Sequence, residues 1–196
     1  MVLRCLLPLV ALLVPGVAQA AAVTIDVRGS DGKPLAGAVI TVESARGGVA
    51  QVRGSYAIEQ RDIAFQPHVL IVPVGATVAF PNRDRVRHHV YSFSKPKAFD
   101  LKLYGREDTR SVVFDKPGVV ALGCNIHDRM SGFVYVTATP FASQADAGGH
   151  VRFDGVPPGA VTIRVWHPTI RSASNTLAQA ATVPAAGFAT TVSIGR

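Results

Sequence analysis

Sulfur is nearly absent from this sequence. Cysteine and methionine occur twice each in 196 residues, and one copy of each, Cys5 and Met1, falls at the amino end. Cys5 lies in a segment with the form of a cleaved leader, so the remaining chain keeps one thiol, Cys124, which has no partner for an intramolecular disulfide. Acidic residues are scarce as well, 13 against 20 basic ones, for a formal net charge of +7. That balance favours an acidic partner surface or anionic envelope material. No base-reading motif accompanies it, which argues against nucleic acid. Beyond the leader, no apolar run reaches the roughly 18 residues that a membrane-spanning helix needs. Long helical periodicities are missing too. In their place stand short alternating runs rich in Val and Thr, broken by Gly and Pro, and these predict an all-β protein.

Residues 1–20 carry a basic start at Arg4, an apolar run from Cys5 to Val14, a Pro15-Gly16 break and Ala18-Gln19-Ala20 as an A-x-A cleavage site. This is the pattern of a secretory signal peptide. The mature chain is expected to begin near Ala21, with 19 basic and 13 acidic residues, to have no transmembrane segment after cleavage, and to work in the periplasm.

The first mature residues, 22–28, alternate like a half-buried strand. Asp31-Gly32-Lys33-Pro34 reads as a turn, and residues 38–43 read as a second strand. This opening resembles the transthyretin-like or carboxypeptidase-regulatory β-sandwich. The next piece of such a sandwich, an acidic turn, a strand and P-x-G before another strand, appears only at Asp146 and beyond, with Val156-Pro157-Pro158-Gly159 leading to Trp166. Between the halves, strand signals recur at 56–62, 68–73, 76–80, 88–94, 99–104, 110–115, 118–124 and 132–137, punctuated by Pro67, Pro73, Pro81 and Pro117. That rhythm predicts a Greek-key sandwich. The expected layout is therefore nested, with residues 49–138 as one sandwich inserted into a second built from 22–48 plus 139–196. A single elongated sandwich with extra strands is the rival layout. The alanine-rich stretch 178–189 reads as loop.

The chemistry concentrates at Cys124, His127 and Met130, spaced C-x-x-H-x-x-M. Met130 is the sole internal methionine. A thiolate, an imidazole and a thioether from one short loop form a soft donor set, and with a second histidine they suit copper that shuttles between Cu(I) and Cu(II). Zinc is the chemical rival, although a thioether gives little reason to choose it. The second histidine is available at His88 or His89, 36 or 35 residues before Cys124. Neighbours on a strand face opposite ways, so only one of the two can reach the site.

Ile63 to Pro67, Val72 to Phe80, Asn82-Arg83-Asp84, His88-His89-Val90 and the Cys124-x-x-His127-x-x-Met130 loop together resemble the cupredoxins, the small blue copper electron carriers, with an amicyanin-like ligand loop. The chain as a whole is similar to periplasmic proteins labelled methylamine utilisation proteins. The resemblance implies a Greek-key cupredoxin β-sandwich over 49–138, one type 1 copper ion, and His88, Cys124, His127 and Met130 as its ligands. It also implies the six-residue interval from Asn82 to His88. Asn82 and Asn125 are the expected hydrogen-bond donors around the sulfur. His89 occupies the place of an asparagine that braces the two ligand loops in the family.

The implied function is electron transfer between redox partners, without substrate turnover. Arg83, Arg85 and Arg87 beside the site suggest an acidic docking surface on the partner. Two other classes of function fit the sequence: a copper storage or delivery protein, and an envelope β-sandwich adaptor. Other features take plainer readings. His68, His150 and His167 read as structural or exposed, Trp166 as core of the outer sandwich, Lys95, Lys97 and Lys102 as a solvated face, and Asp146 as part of a turn.

Overall fold

The structure, a computed structural model, describes residues 21–195; the leader assigned to residues 1–20 lies outside the described residues. Seventeen strands follow in order. They are β1 (Ala21–Arg28), β2 (Val39–Ser44), β3 (Tyr56–Ala57), β4 (Glu59–Arg61), β5 (Ala64–Gln66), β6 (Val69–Pro73), β7 (Ala76–Pro81), β8 (His88–Ser94), β9 (Lys97–Tyr104), β10 (Thr109–Phe114), β11 (Gly118–Gly123), β12 (Ser131–Thr137), β13 (Ala142–Gln144), β14 (His150–Val156), β15 (Gly159–Trp166), β16 (Thr176–Val183) and β17 (Phe188–Ser193). A single helical turn, Ala173–Asn175, interrupts them. The fold is all-β, and no helix among the described residues is long and apolar enough to cross a membrane.

The strands segregate into sheets by position in the chain. The early and late strands form a three-stranded sheet, β14-β1-β17, and a four-stranded sheet, β13-β2-β15-β16. The middle strands form β10-β7-β3, a five-stranded sheet β6-β12-β11-β8-β9, and the small hairpin β4-β5. Alternation explains how each sheet closes over its own interior. Along β1 every second residue is buried, so Val23, Ile25 and Val27 enter one apolar cluster with Ile40, Val42, Val161, Ile163 and Val165. Val78, Phe80, Val90, Phe114, Val120 and Leu122 build a second cluster, which also holds Cys124 and Met130.

The structure differs from the sequence expectation at two places. The stretch 178–189 is not loop: it supplies most of β16, paired antiparallel with β15 from Thr176 to Val183, and the start of β17, which runs parallel to β1. Alanine has little intrinsic strand preference, and pairing with a neighbouring strand overrides it. Trp166 does not sit in the outer core either. It is 1% exposed and packs with Val39, Val69 and Tyr135 in a separate cluster at the seam between the two groups of sheets. Phe133 meets its ring edge-on at 5.0 Å between centroids.

Removing so large a buried ring leaves a cavity that the seam cannot fill. Trp166→Ala is expected to lower stability by about 3–5 kcal/mol, read as a fall in the urea midpoint.

Candidate metal centre

The site is assembled by two neighbouring strands of the five-stranded sheet. β8 and β11 are antiparallel, with Gly123 opposite Tyr91. The start of β8 therefore lies beside the residues that follow β11, and the separation of His88 from Cys124 along the chain closes in space. The approach is tight, since a Cβ on Gly123 would stand 2.7 Å from Cζ of Tyr91. Glycine leaves room for that ring.

His88 opens β8 and is fully buried. Its Nδ1 lies 3.2 Å from Nδ1 of His127, and that nitrogen is 3.7 Å from Sγ of Cys124. The donor atoms of all three residues fall within 4.8 Å of one another. Two imidazole nitrogens about 2.0 Å and one sulfur about 2.3 Å from a shared ion, arranged trigonally, would be separated by about 3.5 Å for the nitrogens and about 3.7 Å for nitrogen and sulfur. The observed separations fit that arrangement. Met130 closes the loop, with its backbone N–H donating to the carbonyl of His127 at 2.9 Å. It is 2% exposed and lies in the same apolar cluster as Cys124. His127 is half-buried, so of the four residues it has the greatest exposure to solvent.

His89 points away from the cluster. Its Nε2 pairs with the carboxylate of Asp100 on β9, and it takes no part in the donor group. The Lys102 ammonium, His89 and the Lys102 backbone N–H together hold the Asp100 carboxyl far below its ordinary range. Asn82 is buried and organises the loop before β8: its Nδ2 donates to the carbonyls of Val86 (2.8 Å) and Tyr104 (3.2 Å), and its Oδ1 accepts from the backbone N–H of Asp84 (2.8 Å). Asn125 is exposed at the top of the Cys124 loop.

The sequence reading gave no role to Asp84, which proves central. Its Oδ2 lies 2.7 Å from Nε2 of His88. A carboxylate there keeps the proton on Nε2 and leaves the Nδ1 lone pair facing the cluster, the arrangement that orients metal-binding histidines. The same carboxylate accepts backbone N–H groups from Asp62 (2.8 Å) and Ile63 (3.0 Å). Those two residues form the β4–β5 turn with φ of +55° each, a left-handed pair of the kind that two-residue hairpins adopt. Burial pushes the Asp84 carboxyl up, but the Ile63 N–H, His88 and the Asp62 N–H outweigh it and leave its pKa below the usual value. The signal in the sequence was an acid four residues before a candidate ligand histidine.

Around the opening, Ile63, Val86 and Ile126 are each about half exposed, at 50%, 47% and 49%. Arg85 and Arg129 are exposed and make no salt bridge among the described residues, whereas Arg83 is paired with Glu59 at 3.0 Å. Asp128, between His127 and Arg129, is exposed as well, so the surroundings of the site are apolar and charged, with two free arginines against one free acid among the described residues.

No protein-family profile and no curated protein matches the chain. Its structural neighbours include copper proteins, at TM-scores near 0.4. A copper-containing nitrite reductase from Thermus scotoductus SA-01 shares 28% identity over 48% of this chain and 25% of its own, with a TM-score of 0.41. A purple cupredoxin from Nitrosopumilus maritimus shares 26% over 42% of this chain and 100% of its own, at 0.39. A reduced Cu(I) form of an amicyanin variant shares 24% over 50% of this chain and 97% of its own, at 0.40. This chain thus spans a quarter of the nitrite reductase, whereas the purple cupredoxin and the amicyanin variant align with 42% and 50% of this chain.

The carboxylate beside His88 sets an expectation for metal binding. Asp84→Asn should weaken metal affinity about 10- to 100-fold, measured by competition against a chelator of known affinity.

Proposed function

We propose that the chain is an exported blue copper protein that carries single electrons between partner proteins in the periplasm. His88, Cys124 and His127 would hold the ion, and Met130 would be its weak axial ligand. The observation that carries this reading is the convergence of one thiol and two imidazole nitrogens, at trigonal separations, in a largely buried site. Copper bound by such a set exchanges one electron between Cu(I) and Cu(II). The protein's part is to keep the donors in place: β8 and β11 hold both sides of the site, and Asp84 fixes the His88 ring.

Burial supports electron transfer over metal delivery. His88, Cys124 and Met130 are 0%, 6% and 2% exposed, so an incoming acceptor has little of the donor set to reach. The half-buried His127 is then the natural point of exit for an electron. With His88, Cys124, His127 and Met130 as its donors, the ion would keep no position for a substrate, and we assign no turnover. In this reading residues 49–138 are the copper-binding module, and 22–48 plus 139–196 are an outer module. The separate apolar interiors of the two groups of sheets support that division. The leader of residues 1–20 supports export.

Copper addition should produce an intense visible thiolate-to-copper band with a narrow EPR hyperfine splitting, and Cys124→Ser should abolish both. A wild-type protein that stays colourless when loaded with copper and oxidised to Cu(II) would refute the assignment.

The exposed Arg85 and Arg129 point to a partner with an acidic docking face. Its reduction rate should fall several-fold as salt rises from about 10 mM to 200 mM, and Arg85→Glu with Arg129→Glu should flatten that dependence. Stopped-flow mixing measures both.

A further inference from the structure

At the end of the five-stranded sheet away from the metal centre, a cleft of about 1020 Å³ opens between the two groups of sheets. That volume lies at the upper end of the range for small-molecule sites, and such sites favour boundaries between structural units. Phe133 and Tyr135 of β12 form one side, Thr41 of β2 and Trp166 of the adjoining β15 lie on the other, and Lys95 and Lys116 stand in the turns before β9 and before β11.

Two features of this cleft are unexplained by the fold. Oγ1 of Thr41 is buried, on a residue 2% exposed, and makes no hydrogen bond. The Tyr135 hydroxyl is its neighbour; burial raises the Tyr135 pKa and outweighs the lowering influence of Thr41, so this hydroxyl stays protonated and able to donate. A buried hydroxyl is ordinarily satisfied, and an orphan one calls for a ligand or water. The second feature is charge. Lys95 and Lys116 are exposed and make no salt bridge among the described residues. The acids that could neutralise them are engaged elsewhere, Asp115 with Lys97 at 3.0 Å and Glu43 with Arg164 at 2.8 Å.

We propose that this cleft binds an organic anion with a flat apolar body, an aromatic carboxylate or sulfonate. Its charged head sits at Lys95 and Lys116, its body lies against Phe133 beside the nearly buried Trp166, and a polar substituent reaches the Tyr135 hydroxyl next to Thr41. The inference does not depend on the metal centre, which lies at the other end of β8 and β11.

The probe is 8-anilinonaphthalene-1-sulfonate, titrated into the full chain. Trp166 is the sole tryptophan in the sequence and lies in the cleft wall, so excitation at the indole reports dye bound there by energy transfer. The expected result is one saturable site per chain, with sensitised emission. Affinity should drop at least about tenfold on Lys95→Glu with Lys116→Glu, and fall with rising salt as screened charges do. The uncharged dye N-phenyl-1-naphthylamine should bind more weakly and be indifferent to those substitutions. Lys95→Gln with Lys116→Gln removes the charge more gently, should give the same loss, and guards against misfolding in the reversed variant; the thermal transition of each variant checks its fold. Several dyes per chain, no transfer from Trp166, or unchanged affinity in both folded variants would overturn the proposal.

Discussion

The close antiparallel contact of β8 with β11 is the constraint on which the metal centre depends. Gly123 faces Tyr91 across that contact, and there is no room for even one methyl group beside the ring. Because the two strands meet at that spacing, the first residue of β8 and the loop after β11 share one corner of the sandwich. Three donor atoms from two distant segments thus reach within 4.8 Å of one another. Both segments begin or end on paired strands, so neither is free to drift. A rigid frame of this sort suits a metal that changes oxidation state without changing its surroundings.

A second tier of contacts holds the histidine that the sheet delivers. Asp84 links the His88 ring to the Asp62–Ile63 turn, and Asn82 caps the Asp84 backbone. Non-glycine residues in left-handed backbone cost on the order of 1 kcal/mol each. Here two such residues present their N–H groups to one carboxylate, whose charge offsets that cost by accepting both. The turn, the loop and the ligand are thereby one hydrogen-bonded unit. The half-exposed Ile63 at its tip also brings an apolar side chain to the protein surface near the loop that carries His88.

The outer sheets join this unit through aromatic packing. Trp166, Phe133 and Tyr135 interlock at the seam, with ring centroids 5.0 and 6.0 Å from the tryptophan. Phe133 and Tyr135 belong to β12, which begins directly after Met130. The strand that leaves the ligand loop is therefore the strand on which the outer sheets rest.

Much of this protein was legible in its residues. Alternation at a period of two is local, so most strands, including β1, β2, β6 to β8 and β10 to β12, could be placed from side-chain order. The soft donors of the Cys124 loop were legible because three of them sit within seven residues. Strand geometry let only one of His88 and His89 reach the site, the resemblance pointed to His88, and the two rings do face different surroundings. Where local signals were weak, tertiary contacts decided. The alanine-rich β16 became a strand because β15 was there to pair with it, and Trp166 went to the seam because two sheets met over it. Asp84 acquired its role because folding brought it within 2.7 Å of a ring nitrogen. The chemical groups on offer and the pitch at which they alternate follow from the order of residues alone, since both are properties of neighbours along the chain. Which of those groups touch follows from the fold, because contact between distant residues depends on the register of strands, and register is set by the packing of the whole sheet.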